Sequence, residues 1–168
     1  MTKERKTTVY NKALNLLSRQ DYSIYKLSSK LKSSGYDHEE IASTIDRLQE
    51  LKLLNDDEYA KRRIKSYIQR GQGIKLISLN LEKEEIQVSE QFVQEIYQAL
   101  QIDTYQQVQD LIKNKCRYMK ICTETSQDDI YNQQQKLLRH LTSKGHDFDL
   151  CQQLTHEYFT NAKHNHPE

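Results

Sequence analysis

Leu31-Lys-Ser-Ser-Gly35-Tyr-Asp closes one helical pattern and opens the next, and the chain says it again as Leu141-Thr-Ser-Lys-Gly145-His-Asp. A degraded copy, Leu81-Glu-Lys-Glu-Glu85-Ile-Gln, lies between them. In the two clear copies a leucine ends an apolar stripe, a glycine terminates the helix and an aspartate caps the helix that follows. The equivalent positions 35, 85 and 145 fall 50 and 60 residues apart. Self-similarity at that period marks stacked helical modules, each burying a face against its neighbour. Such architectures present an extended binding surface rather than a closed pocket, which points first to a protein that grips another macromolecule.

The apolar spacing around these turns fills in the modules. Val9, Ala13, Leu16 and Leu17 keep helical spacing over residues 8–20. Ser23 caps a second helix carrying Ile24, Leu27 and Leu31. Asp37 and Glu40 form a capping-box-like pair before Ile41, Ile45 and Leu48. Leu53-Leu54-Asn55-Asp56 closes this module and caps the next helix, which carries Ala60, Ile64, Tyr67 and Ile68 and stops at Gly71. Ile74, Ile77 and Leu81 mark a fifth helix. Ser89 caps a sixth with Phe92, Val93, Ile96, Tyr97 and Leu100. Val108, Leu111 and Ile112 open the third module, which resumes after a polar insert at 123–129 with Ile130, Leu137, Leu138 and Leu141. Asp147 caps the last helix, carrying Leu150, Cys151, Leu154 and Tyr158, and Asn161–Glu168 reads as a frayed tail. The expectation is an all-α chain of three tandem three-helix modules, 1–54, 55–102 and 103–162, with a disordered tail at 163–168.

Bulk composition fits that reading. Hydrophobic content is 36%, below the usual ~45–50%, so the cores are thin. One Pro, four Gly and no Trp favour helices over tight β-turns. No run approaches the ~18 apolar residues of a membrane span, and the first residues lack the apolar core of a signal peptide. The expected location is therefore the cytoplasm, with no membrane partner. Net charge is only +1, but residues 1–80 carry 16 Lys and Arg against 10 Asp and Glu, and residues 81–168 carry 9 against 14. This polarity can orient the molecule on a polyanion, and it also fits solvated helix faces.

The densest basic run is Lys61, Arg62, Arg63, Lys65, Arg70 and Lys75, with no acid between Tyr59 and Leu81. At roughly 100° per residue, Ala60, Ile64, Tyr67 and Ile68 share one arc, and the cations occupy the rest of the helix. Like charge at this density repels itself. Compensation must come from acids on neighbouring helices, an acidic partner or phosphates. Arginines matter most, because the guanidinium fork pairs bidentately with carboxylate or phosphate. A second cluster, Lys113, Lys115, Arg117 and Lys120 with Tyr118, could hold single-stranded nucleic acid by charge and stacking; a polar surface helix looks the same.

Chemistry finds no foothold. There is no Gly-x-Gly-x-x-Gly, Walker-type loop, His-Glu-x-x-His or Gly-x-Ser-x-Gly. Acidic pairs such as Asp56-Asp57 and Asp128-Asp129 suit helix starts. Cys116, Cys122 and Cys151, beside His140, His146 and His156, match no standard zinc spacing and read as reduced thiols. No enzyme, cofactor or metal site is expected.

From Ala13 to Leu100 the chain resembles the RecX family, bacterial regulators of the RecA recombinase. The matching pieces are Ala13-Leu14-x-x-Leu17 with Arg19, Tyr22-Ser23 leading to Leu27, Leu31 and Gly35, and Ile41, Ile45 and Leu48. Leu53-Leu54-Asn55-Asp56-x-x-Tyr59-Ala60 is the most specific. The basic run and Gly71-x-Gly73-x-x-x-Ile77-x-x-x-Leu81 follow it. The third module matches in layout. One departure is Glu85, where the family usually has glycine; a left-handed turn is costlier there, and a differently shaped turn is expected. The resemblance implies an elongated, curved monomer that binds the RecA filament on single-stranded DNA and suppresses its ATPase and strand exchange. That is a role in homologous recombination, DNA repair and the SOS response. The acid-free basic run makes Lys61, Arg62, Arg63, Lys65, Arg70 and Lys75 the expected contacts with that filament, with Arg19 and Arg47 as lesser candidates. Direct binding of single- or double-stranded DNA, or of another acidic protein, are the rival readings.

Overall fold

The computed structural model describes residues 7–117 and 126–164, with side chains described through Ala162. Among these residues there are nine α-helices and no strand: α1 Val9–Leu17, α2 Ile24–Ser33, α3 His38–Glu50, α4 Asp56–Gln69, α5 Ile74–Glu82, α6 Glu90–Ala99, α7 Thr104–Cys116, α8 Gln127–Ser143 and α9 Phe148–His164. α9 runs past Asn161, where the sequence suggested fraying, and residues 165–168 lie outside the described residues. Part of the polar insert, 123–125, lies outside them as well, and 127–129 are the first turn of α8.

The caps follow the sequence signals. Thr8, Ser23, Asp37, Ser89, Asp103 and Ser126 each accept a backbone N–H in the first turn of the helix they precede. Within Leu53-Leu54-Asn55-Asp56 the capping side chain of α4 is Asn55, with Oδ1 accepting from Asp57 N at 2.9 Å and Glu58 N at 3.1 Å. Asp56 reaches back to the start of α2, where its Oδ1 accepts from Ile24 N at 2.8 Å.

The stops are alike across the chain. At Gly35 the left-handed residue donates to Lys32 O and the next residue, Tyr36, to Leu31 O. This is the paired closure that ties off a helix's last carbonyls. Glu85 does the same with φ +57, its N–H on Glu82 O and Ile86 N on Leu81 O. The second turn therefore keeps the shape of the first, contrary to the expectation that a non-glycine would alter it. Lys52 and Gln101 adopt the same left-handed conformation. The backbone motif is set by the helix end, and the side chain there carries only its strain.

The chain divides into two compact units, Met1–Arg63 with Leu81–Gln87, and Ile64–Asn80 with Val88–Glu168. In the first, α1, α2 and α3 pack on one another around Val9, Ala13, Leu27, Leu31, Ile41, Ile45, Leu48 and Leu54. Leu27, Leu31 and Leu48 are fully buried, and each contributes roughly 1.5–3 kcal/mol. In the second, α7, α8 and α9 enclose Val108, Ile112, Cys116, Ile130, Leu137, Leu141, Cys151, Leu154 and Phe159. The i, i+3, i+4 spacing selected most of these positions; Cys116 and Phe159 are core residues it did not select, and Tyr158, which it did, is only partly buried.

Candidate functional site

The acid-free run on α4 and α5 is compensated from elsewhere in the chain, but only in part. In the first unit Arg63 donates Nη2 to Glu84 Oε1 and Nε to Oε2 at 3.2 Å. Lys26 Nζ lies 3.1 Å from the same Oε2, and the Tyr59 hydroxyl donates to it at 2.9 Å. Glu84 is buried, so this carboxylate is satisfied by two cations and a phenol instead of water. Arg62 Nε donates to Asp21 Oδ2 at 2.7 Å, with both side chains about half exposed. Lys61 pairs with Glu58 one turn back at 2.8 Å, which holds its ammonium above the usual range. Three cations of the run thus have carboxylate partners.

The other three behave differently. Lys65, Arg70 and Lys75, all in the second unit, are exposed and make no ion pair among the described residues. Of the lesser candidates, Arg19 is exposed and likewise has no ion pair there, while Arg47 lies over the Tyr10 ring, its guanidinium carbon 4.5 Å from the centroid. Lys113 approaches Asp110 only to 4.0 Å, and Arg117 donates to Asn114 Oδ1 at 2.9 Å. Lys115 is exposed. Tyr118 and Lys120 lie outside the described residues.

The α4–α5 turn that carries Arg70 is held within the second unit. Gly73 N donates to Lys144 O at 2.8 Å, and Lys144 Nζ donates to Arg70 O at 2.8 Å. The His146 ring meets Gly71 O through Nε2 at 3.0 Å, and the Tyr97 hydroxyl donates to Gln72 O. Burial pushes the Tyr97 phenol up to about 12. Sequence reasoning gave Glu84, Lys144 and His146 none of these roles. Three acids follow Leu81, at Glu82, Glu84 and Glu85, and nothing local marks Glu84 among them.

Cys116 and Cys151 are buried free thiols. Burial pushes both up, Cys151 to about 11, so neither is a ready nucleophile. Cys122 lies outside the described residues, and among the described residues no group of three His, Cys, Asp or Glu could hold a metal. No described helix is long and apolar enough to cross a membrane.

Fold and site define an all-α protein whose α4–α5 segment presents three cations, Lys65, Arg70 and Lys75, with no ion pair among the described residues. Residues 10–48 match the family model for the RecX first three-helix domain. Regulatory protein RecX of Clostridium perfringens is 30% identical over 151 residues, covering 90% of this chain and 68% of that protein. Its Haemophilus influenzae counterpart is 28% identical over 106 residues, covering 63% of this chain and 69% of that protein. The crystal structure of RecX from Lactobacillus salivarius superposes with a TM-score of 0.67 at 27% identity, covering 89% of this chain and 93% of that one. The chain belongs to the RecX family of regulatory proteins.

Proposed function

We propose that this protein modulates the RecA recombinase. As a cytoplasmic monomer of three three-helix modules it binds the RecA–single-stranded DNA filament and suppresses ATP hydrolysis and strand exchange, without chemistry of its own. The observation that carries the reading is the 30% identity to a regulatory protein RecX across nine-tenths of the chain. The cationic segment supports it by offering what a polyanionic filament needs. Lys65, Arg70 and Lys75 supply the main contact, because their charge is not spent on a carboxylate among the described residues. Lys61, Arg62 and Arg63 are lesser contacts in this reading, because each would have to exchange a carboxylate of the first unit for the filament.

The test is RecA ATP hydrolysis on single-stranded DNA during titration with this protein. Inhibition well below one protein per RecA subunit supports capping of filament ends, and inhibition near stoichiometry supports coating. An unchanged rate with folded protein overturns the proposal.

A further inference from the structure

Two basic clusters that are separate in sequence meet in the second unit. α7 lies along the α4–α5 turn. Gln107 Nε2 donates to Ile68 O at 3.2 Å, and Leu111 lies so close to Gly71 that an added Cβ would stand 2.7 Å from its Cδ2. Lys115 is the next residue on the same helical stripe, since 107, 111 and 115 are each four apart. From the other side, Lys144 follows α8 and bonds Arg70 O through Nζ. Both lysines lie within electrostatic reach of the His140 ring of α8. Burial holds its imidazole below the usual value, and Lys115 and then Lys144 lower it further. Arg70, Lys115 and Lys144 have no ion pair among the described residues.

We infer that Arg70, Lys115 and Lys144, gathered at the α4–α5 turn, form a phosphate-binding site that grips the backbone of single-stranded DNA. Clustered cations without carboxylates raise the local positive potential and favour a polyanion. Two of the three are lysines, compact hydrated charges suited to a track of phosphates, whereas protein interfaces are depleted in lysine. The turn is braced by the Gly73–Lys144 and Gly71–His146 bonds, so the charges sit on a fixed frame. The choice of DNA as occupant rests on the filament reading proposed above.

The experiment is fluorescence anisotropy of a labelled oligodeoxythymidine with the full chain across a salt series, beside the ATPase titration. Binding should weaken as salt rises, and Arg70→Gln and Lys115→Gln should each flatten the log–log slope by about 0.7 while weakening binding several-fold. Lys144→Met should do the same, but it also loses the bond to Arg70 O. Lys115→Gln changes an exposed helical residue and keeps the test decisive if Lys144→Met does not fold. Unchanged slopes in Arg70→Gln and Lys115→Gln overturn the site, as does absent oligonucleotide binding. Equal or tighter binding of polyglutamate also overturns it, in favour of an acidic protein. ATPase inhibition that survives any of these results leaves the filament reading standing, so the two can fail separately.

Discussion

Arg63 and Glu84 are joined across a 21-residue separation by a two-pronged contact, Nη2 to Oε1 and Nε to Oε2, on a carboxylate that also serves Lys26 and Tyr59. Bidentate geometry and low water access make it the strongest ion pair described in the first unit. Removing the carboxylate's charge leaves the partly exposed Arg63 and Lys26 cations facing each other unpaired. Glu84→Gln should therefore destabilise the protein by about 2 kcal/mol, and Tyr59→Phe by about 1 kcal/mol. Arg62→Ala removes only an exposed pair and should cost under about 1 kcal/mol. Urea unfolding midpoints of the full chain check this order; equal shifts for Glu84→Gln and Arg62→Ala would contradict it.

The left-handed helix stops separate two kinds of glycine. Gly35 has nothing within 4 Å of an added Cβ, so Gly35→Ala meets only backbone strain and should cost about 1–2 kcal/mol. Gly145 would set its Cβ 2.4 Å from Leu76 Cβ and 2.6 Å from Leu76 N, so Gly145→Ala must also displace α5 and should cost clearly more. Glu85, already strained at φ +57, gives the opposite sign. Glu85→Gly should stabilise by roughly 0.5–1 kcal/mol after the larger unfolded-state entropy of glycine is subtracted. Thermal unfolding of the three variants measures the ranking, and a destabilised Glu85→Gly would refute the strain argument.

His146 ties stability to pH. Burial lowers its imidazole below 6.5, the Gly71 hydrogen bond opposes that and Lys144 adds to it. The neutral ring donates through Nε2, and its buried Nδ1 has no partner among the described residues, so a proton there would find no acceptor. Unfolded His146 takes up a proton near pH 6.5 and the folded one only lower. The unfolded state therefore binds more protons in that window. Stability from this residue is present above pH 6.5 and is lost as pH falls below it. Urea midpoints between about pH 7.5 and about pH 5.5 should fall less steeply in His146→Gln than in the wild type. Parallel slopes would exclude the residue as the source.

These cases mark how far the sequence could be read. The helices and their cores were legible because Leu27, Leu31, Leu48, Leu137 and Leu141 repeat at helical spacing and capping residues punctuate them. The motif around Gly35 and Gly145 was legible too, but not the difference between them, since only one packs on Leu76. Six cations could be seen from α4 to α5, yet apart from Glu58 three residues before Lys61 nothing local revealed which were taken. Asp21 and Glu84 reach Arg62 and Arg63 from 41 and 21 residues away. Long-range pairing of side chains leaves no periodic trace, so the division between structural and free charge appears only in three dimensions.

That division makes the final prediction sharp, because it sets an arginine of α4 against one in the turn that follows it. Arg62 and Arg70 are both exposed arginines, but Arg62 holds Asp21 at 2.7 Å and Arg70 has no ion pair among the described residues. A filament contact made by Arg70 breaks no ion pair among the described residues, whereas one made by Arg62 must first release its aspartate. Charge reversal at Lys65, Arg70 and Lys75 should therefore raise the concentration needed to inhibit RecA ATP hydrolysis at least ~10-fold, about 1.4 kcal/mol of lost binding. Arg62→Glu should move it less than ~3-fold, since one rim charge mainly changes the association rate. Circular dichroism should show both variants folded, because neither touches the cores. If Arg62→Glu proved the more damaging of the two, the internally paired end of α4 would be the contact surface and the assignment of free charge to function would fall.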